Sequence, residues 1–81
     1  MGKPPRERPK RLGRKLFTIR TGLGVSQTEM ARLLELKQTY TVVSSYERGT
    51  REPSLLTLLR YARLAGVSMD VLVDDTMRLP K

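Results

Sequence analysis

The chain has 81 residues, 38% of them hydrophobic, and a net charge of +8, which allows one small domain and leaves no room for a second core. It contains no cysteine and no histidine, so a disulfide is excluded, a structural zinc site is nearly excluded, and the usual histidine-based acid–base and nucleophilic arrangements are absent. No enzymatic activity, cofactor or metal is expected, and the pair Asp74-Asp75 reads as a solvated helix end.

Residues 1–10 form a basic arm in which Pro4, Pro5 and Pro9 interrupt the charges. Prolines block helix and charges resist burial, so this arm is expected to be disordered. The positive charge is uneven. Residues 1–15 hold Lys3, Arg6, Arg8, Lys10, Arg11, Arg14 and Lys15 against the single acid Glu7. A basic arm on a nearly balanced domain favours an anionic polymer or surface as partner. No apolar run resembles a signal peptide or a membrane span, so a cytoplasmic protein is expected.

Residues 11–75 carry the signals of a compact five-helix, all-α domain. Leu12, Leu16, Ile19 and Leu23 make one apolar stripe on a first helix, roughly 10–21, ended by Gly22 and Gly24. Ser26 opens a second helix. Its hydroxyl is placed to accept the Glu29 amide hydrogen while the Glu29 carboxylate reaches back, a capping box, and Val25 is placed to pack on Met30 as a hydrophobic staple. Met30, Ala31, Leu33 and Leu34 supply its buried side. The segment Glu35 to Tyr40 is ambiguous.

Val43 and Tyr46 suit the buried side of a third helix, about 40–48, with Val42 beside them or facing outward. Gly49 stops it in a left-handed cap. Thr50 to Pro53 is a polar loop. Ser54 caps a fourth helix with Leu55, Leu58, Leu59, Ala62 and Ala65 on its inner face, and Gly66 ends it. Ser68 caps a short fifth helix carrying Val71, Leu72 and Val73, and residues 76–81 are a tail.

Four blocks in this order resemble the helix-turn-helix family of phage repressors and Cro proteins, the XRE family. They are Leu12-Gly13 with Leu16, Ile19 and Arg20; Val25-Ser26-Gln27 with Glu29, Met30 and Ala31; Val43-Ser44-Ser45-Tyr46-Glu47-Arg48-Gly49; and Arg51-Glu52-Pro53-Ser54 leading to Leu58-Leu59, Ala62 and Gly66-Val67-Ser68. The resemblance spans about Leu12 to Val73 and implies a lambda-repressor-like DNA-binding domain. One departure stands out. No glycine follows Ala31-Arg32-Leu33-Leu34, and two more residues separate Ala31 from Tyr46 than the family pattern has. Either the second helix runs on to about Leu36 or the turn bulges.

The resemblance places Gln27 against a DNA phosphate, which suits a helix amino terminus. It places Tyr40, Thr41 and Ser45 over base edges, where hydroxyls bond to several base atoms. Lys37 and Gln38 join them if the longer turn lies over the groove. Arg48, Thr50 and Arg51 face the backbone, adding affinity without reading sequence. Arg20 and Glu47 are expected to pair structurally. Leu56, with Met77, Leu79 and Leu72, is a candidate dimer patch. The expected function is a sequence-specific double-stranded DNA-binding transcriptional regulator, a repressor acting as a homodimer. The rival expectation is an antitoxin or accessory module that holds a partner protein, with DNA binding as feedback.

Overall fold

The computed structural model describes residues 8–37 and 40–80. Most of the expected basic arm, and Gln38, lie outside the described residues. Five helices follow in chain order: α1 (Leu12–Leu23), α2 (Gln27–Leu33), α3 (Tyr40–Arg48), α4 (Leu55–Ala65) and α5 (Met69–Val73).

Helix α1 buries Leu12, Leu16 and Ile19, the three leading members of the expected stripe. It runs through Gly22 and stops only at Gly24, which takes a left-handed conformation at φ +73°. The last turn therefore overshoots the core, and Leu23 at its end is left 40% exposed.

Ser26 Oγ accepts the Glu29 amide hydrogen at 3.1 Å, and Val25 packs on the core that holds Met30. The other half of the expected capping box is replaced, because the Glu29 carboxylate pairs with Arg32. Helix α2 ends at Leu33, which is 37% exposed rather than buried. Beyond it, Glu35 adopts φ +57°, the position a glycine would ordinarily take. The Glu35 amide donates to Arg32 O and the Leu36 amide to Ala31 O, each at 3.0 Å. This is a Schellman cap, and Leu36 folds onto the core as such caps favour. The extra residues are thus taken up in a longer connection, at a cost of about 1 kcal/mol for a left-handed non-glycine residue.

Helix α3 buries Val42, Val43 and Tyr46, held between α1 and α2. Gly49 stops it at φ +77°, as expected. The approach of α1 is close: a Cβ on Gly13 would sit 2.7 Å from the Glu47 carbonyl oxygen.

Ser54 Oγ caps α4 by accepting the Thr57 amide hydrogen at 3.2 Å. The inner face is rotated from the expected one. Thr57, Leu58, Tyr61 and Ala62 are buried, Leu59 and Ala65 are half-buried, and Leu55 is 76% exposed. The spacing 58, 61, 62, 65 is helical, and Tyr61 is the largest fully buried side chain.

Ser68 occupies the cap position of α5 without a side-chain capping bond. Leu72 is fully buried. Two polar side chains then tie α1 to the end of α5. Lys15 is itself buried, and its ammonium donates to Val71 O at 2.7 Å and Asp74 O at 2.9 Å, closing the carboxyl end of α5. Asp75 accepts the Lys10 and Arg11 amide hydrogens at 2.9 and 3.0 Å, gripping the backbone that enters α1. Asp75, at the solvated end of α5 as expected, is thus also a structural clasp, while Asp74 accepts from the Thr76 amide and hydroxyl. Lys15 is spent inside the fold and does not contribute to a free basic arm.

Candidate nucleic-acid interface

Val42, Val43 and Tyr46 face inward, which turns residues 40, 41, 44, 45 and 48 of α3 outward. Tyr40 is 52% exposed and so is no part of the core. Thr41 and Arg48 are exposed, and Ser44 and Ser45 are half-buried. Ser44 lies within this face, four residues from Tyr40 and three from Thr41. Sequence reasoning passed over it although its helical spacing marked it. Lys37 is exposed just ahead of the helix. The nine residues of α3 span about 13 Å, comparable with a major groove about 12 Å wide.

Ser45 is the joint between the helix and the loop after it. Its hydroxyl donates to Thr41 O at 3.0 Å, so it presents acceptor lone pairs outward. Its carbonyl receives the Thr50 amide at 3.0 Å, the Arg51 amide at 3.4 Å and the Thr50 hydroxyl at 3.3 Å. This folds Thr50 and Arg51 back against the end of α3, with both side chains and that of Arg48 exposed.

A polar knot fixes α3 from behind. Arg20 Nε donates to Glu47 Oε2 at 2.7 Å, and Arg20 Nη2 to Glu47 Oε1 at 3.1 Å, a bidentate pair with side-chain exposures of 14% and 6%. Arg20 Nη1 also donates to Val25 O at 3.0 Å, and its guanidinium lies 5.4 Å from the centre of the Phe17 ring. Gln27 Nε2 donates to Glu47 Oε1 at 3.1 Å. Gln27 is therefore a partly buried link between the start of α2 and the last turn of α3. Electrostatically, Glu47 is neutralised and withdrawn, leaving Lys37, Arg48 and Arg51 as the exposed charges around the outer face.

Of the sequence-derived residues, Lys37, Tyr40, Thr41, Ser45, Arg48, Thr50 and Arg51 follow one another along α3 and its two ends, and Gln27 joins them through Glu47. Gln38 is outside the described residues. The expected dimer patch does not assemble: Leu72 is core, Leu79 packs against the core, and Met77 lines a groove beside the start of α1. Leu56 stands apart on α4 at 55% exposure. Among the described residues, no helix is long and apolar enough to cross a membrane.

Residues 16–72 match the family model described as helix-turn-helix. A prophage-derived HTH-type transcriptional regulator of Bacillus subtilis, YonR, is 40% identical over 65 residues, covering 79% of this chain and 57% of the relative. The chain thus spans little more than half the length of that protein. An HTH-type transcriptional regulator of Sinorhizobium fredii, y4dJ, is 35% identical over 71 residues, covering 88% of this chain and 90% of the relative. Among solved structures, the restriction-modification controller protein C.AhdI of Aeromonas hydrophila aligns with a TM-score of 0.62 at 32% identity, covering 73% of this chain and 86% of that one. The P22 c2 repressor, solved with a synthetic operator, aligns with a TM-score of 0.70 at 22% identity, covering 79% and 94%, and supports the fold.

Proposed function

This chain belongs to the helix-turn-helix family, and from that premise we propose that it is a sequence-specific double-stranded DNA-binding transcriptional regulator, a repressor acting as a homodimer on a pseudo-palindromic operator. By family it is a DNA-binding regulator and not an enzyme. The observation that carries the reading is the outer face of α3: Tyr40, Thr41, Ser44 and Ser45 stand outward between cations at both ends, while the Arg20–Glu47–Gln27 knot holds the helix from behind.

In this reading α3 enters the major groove and its hydroxyls meet base edges. Lys37, Arg48 and Arg51 meet phosphates, and Gln27 orients the start of α2 toward the backbone. A two-fold pair would set two copies of α3 in successive major grooves about 34 Å apart. Exposed Leu55 and Leu56 on α4 offer apolar area for that pairing. Such a protein works where the DNA is, in the cytoplasm.

The test is selection of bound duplexes from a random pool by the purified protein at about 150 mM salt, where nonspecific binding is already weak. An enriched inverted repeat is expected. No enrichment by a folded protein overturns the reading in favour of a module that needs a partner protein.

A further inference from the structure

The cations near the start of α1 do not stop at the face of α3. Arg8, Lys10 and Arg14 line an open groove together with Arg48 and Gly49 at the end of α3. Lys10 and Arg14 also line a second open groove of about 630 Å³, with Arg11, Arg78 and the apolar side chains of Met77 and Leu79. Two shared residues make the grooves neighbours, so a belt of positive charge leads from α3 across the first turn of α1 to the tail.

The carboxylates along this belt are already engaged. Glu47 borders the first groove but is held by Arg20 and Gln27. Asp75 lies beside the second, with its two oxygens taken by the Lys10 and Arg11 backbone amides. Lys10, Arg11, Arg14 and Arg78 are exposed, and none forms a close ion pair with a carboxylate among the described residues; Arg11 alone feels the charge of Asp75 at longer range. Neighbouring uncompensated cations repel one another, and a polyanion laid along them relieves that repulsion while releasing counterions.

We propose that Lys10, Arg11, Arg14 and Arg78 form a second phosphate-binding track. It is reached by the duplex backbone as it passes the end of α3, so that the protein grips DNA outside the segment that α3 reads. The inference rests on the reading of α3 as the DNA-facing helix, because Arg48 is where the two surfaces join. The tail thereby becomes part of the binding surface.

The test uses the full chain and a mixed-sequence duplex of about 40 bp, with affinity measured across a series of salt concentrations. Each phosphate contact contributes about 0.9 to the slope of log affinity against log salt. The double variant Arg14→Gln/Arg78→Gln is expected to lower that slope by about 1.8 and to weaken binding about 30-fold at 150 mM salt. Its thermal unfolding should be unchanged, and Arg14→Lys/Arg78→Lys should restore the slope. An unchanged slope in the glutamine variant overturns the second track. Loss of binding to poly-glutamate with the DNA slope unmoved also overturns it, in favour of an acidic protein segment. Failure of the α3 reading shows separately, as an unchanged slope in Arg48→Gln/Arg51→Gln. No DNA binding by the unaltered chain overturns both.

Discussion

Arg20 on α1 and Glu47 in the last turn of α3 meet in a bidentate pair, with Nε and Oε2 at 2.7 Å and the second contact at 3.1 Å. Both side chains are largely withdrawn from water, so the pair fixes orientation more than it adds net stability. Removing one partner strands a desolvated charge. Glu47→Gln is expected to cost about 3 kcal/mol in urea denaturation, and Arg20→Met/Glu47→Leu to recover much of that loss. A cost under about 0.5 kcal/mol would place the pair among solvated surface contacts.

The outer face of α3 and the loop after it should respond differently to substitution. Thr41→Ala or Ser45→Ala is expected to change discrimination at particular base pairs by about 1–3 kcal/mol. Arg51→Ala should weaken all sequences alike and reduce the salt slope by about one. Binding measured on a panel of single-base operator variants separates the two behaviours. Identical profiles for both classes would show that α3 does not read bases.

Much of this arrangement was legible in the residues. Capping serines at 26 and 54, the glycine stop at 49 and the spacing of Leu12, Leu16 and Ile19 are local signals, and local hydrogen bonds and packing satisfy them. What escaped detection depends on partners far away in sequence. Lys15 and Asp75 look like surface charges until α5 and α1 meet, 56 and 65 residues apart for the Lys15–Val71 and Lys10–Asp75 contacts. On α4, four leucines among residues 55–59 drew the expected inner face onto Leu55 and Leu59, one position off the face that is buried. Tyr61 sets that face by filling the centre. In the interface, Gln27 was legible as a first-turn residue, whereas its bond to Glu47 required the crossing of α2 and α3.

Two glycines on α1 should behave oppositely. A Cβ on Gly13 would meet the Glu47 and Tyr46 carbonyl oxygens at 2.7 and 3.1 Å, both backbone atoms that cannot swing away. Gly13→Ala is expected to destabilise by about 2 kcal/mol, in the range of core overpacking, and to weaken DNA binding by pushing α1 off α3. Gly22 is helical and exposed, with nothing within 4 Å of an added Cβ. Gly22→Ala should stabilise by about 0.5–1 kcal/mol. Equal effects at the two positions, measured by thermal unfolding, would contradict the close approach of α1 to α3.

Glu35 carries the backbone strain of the longer turn at φ +57°. Its carboxylate lies 3.7 Å from Arg60 Nε, but it is 74% exposed, so that pair is worth little. Glu35→Gly should therefore gain about 0.5 kcal/mol net, the relief of the left-handed strain exceeding the lost pair. Glu35→Ala loses the pair without relieving the strain and should destabilise slightly. If glycine were no better than alanine here, the left-handed cap would not be formed in solution.

Asp75 links stability to pH. The amide hydrogens of Lys10 and Arg11 favour its ionised form and hold its pKa below the ordinary 3.8. A carboxylate whose pKa is depressed by folding contributes stability above its unfolded pKa and loses it as pH falls through the folded value. Asp74, bonded to the Thr76 hydroxyl and amide, is lowered in the same direction. Asp75→Asn should accordingly be less stable than the unaltered protein by a constant margin from about pH 7 to pH 5, with the margin closing below about pH 4. Urea denaturation of both proteins across that range measures it, with the remaining carboxylates acting as a shared background. A margin that persists undiminished to about pH 2 would mean that Asp75 clasps α1 through shape and not through its charge.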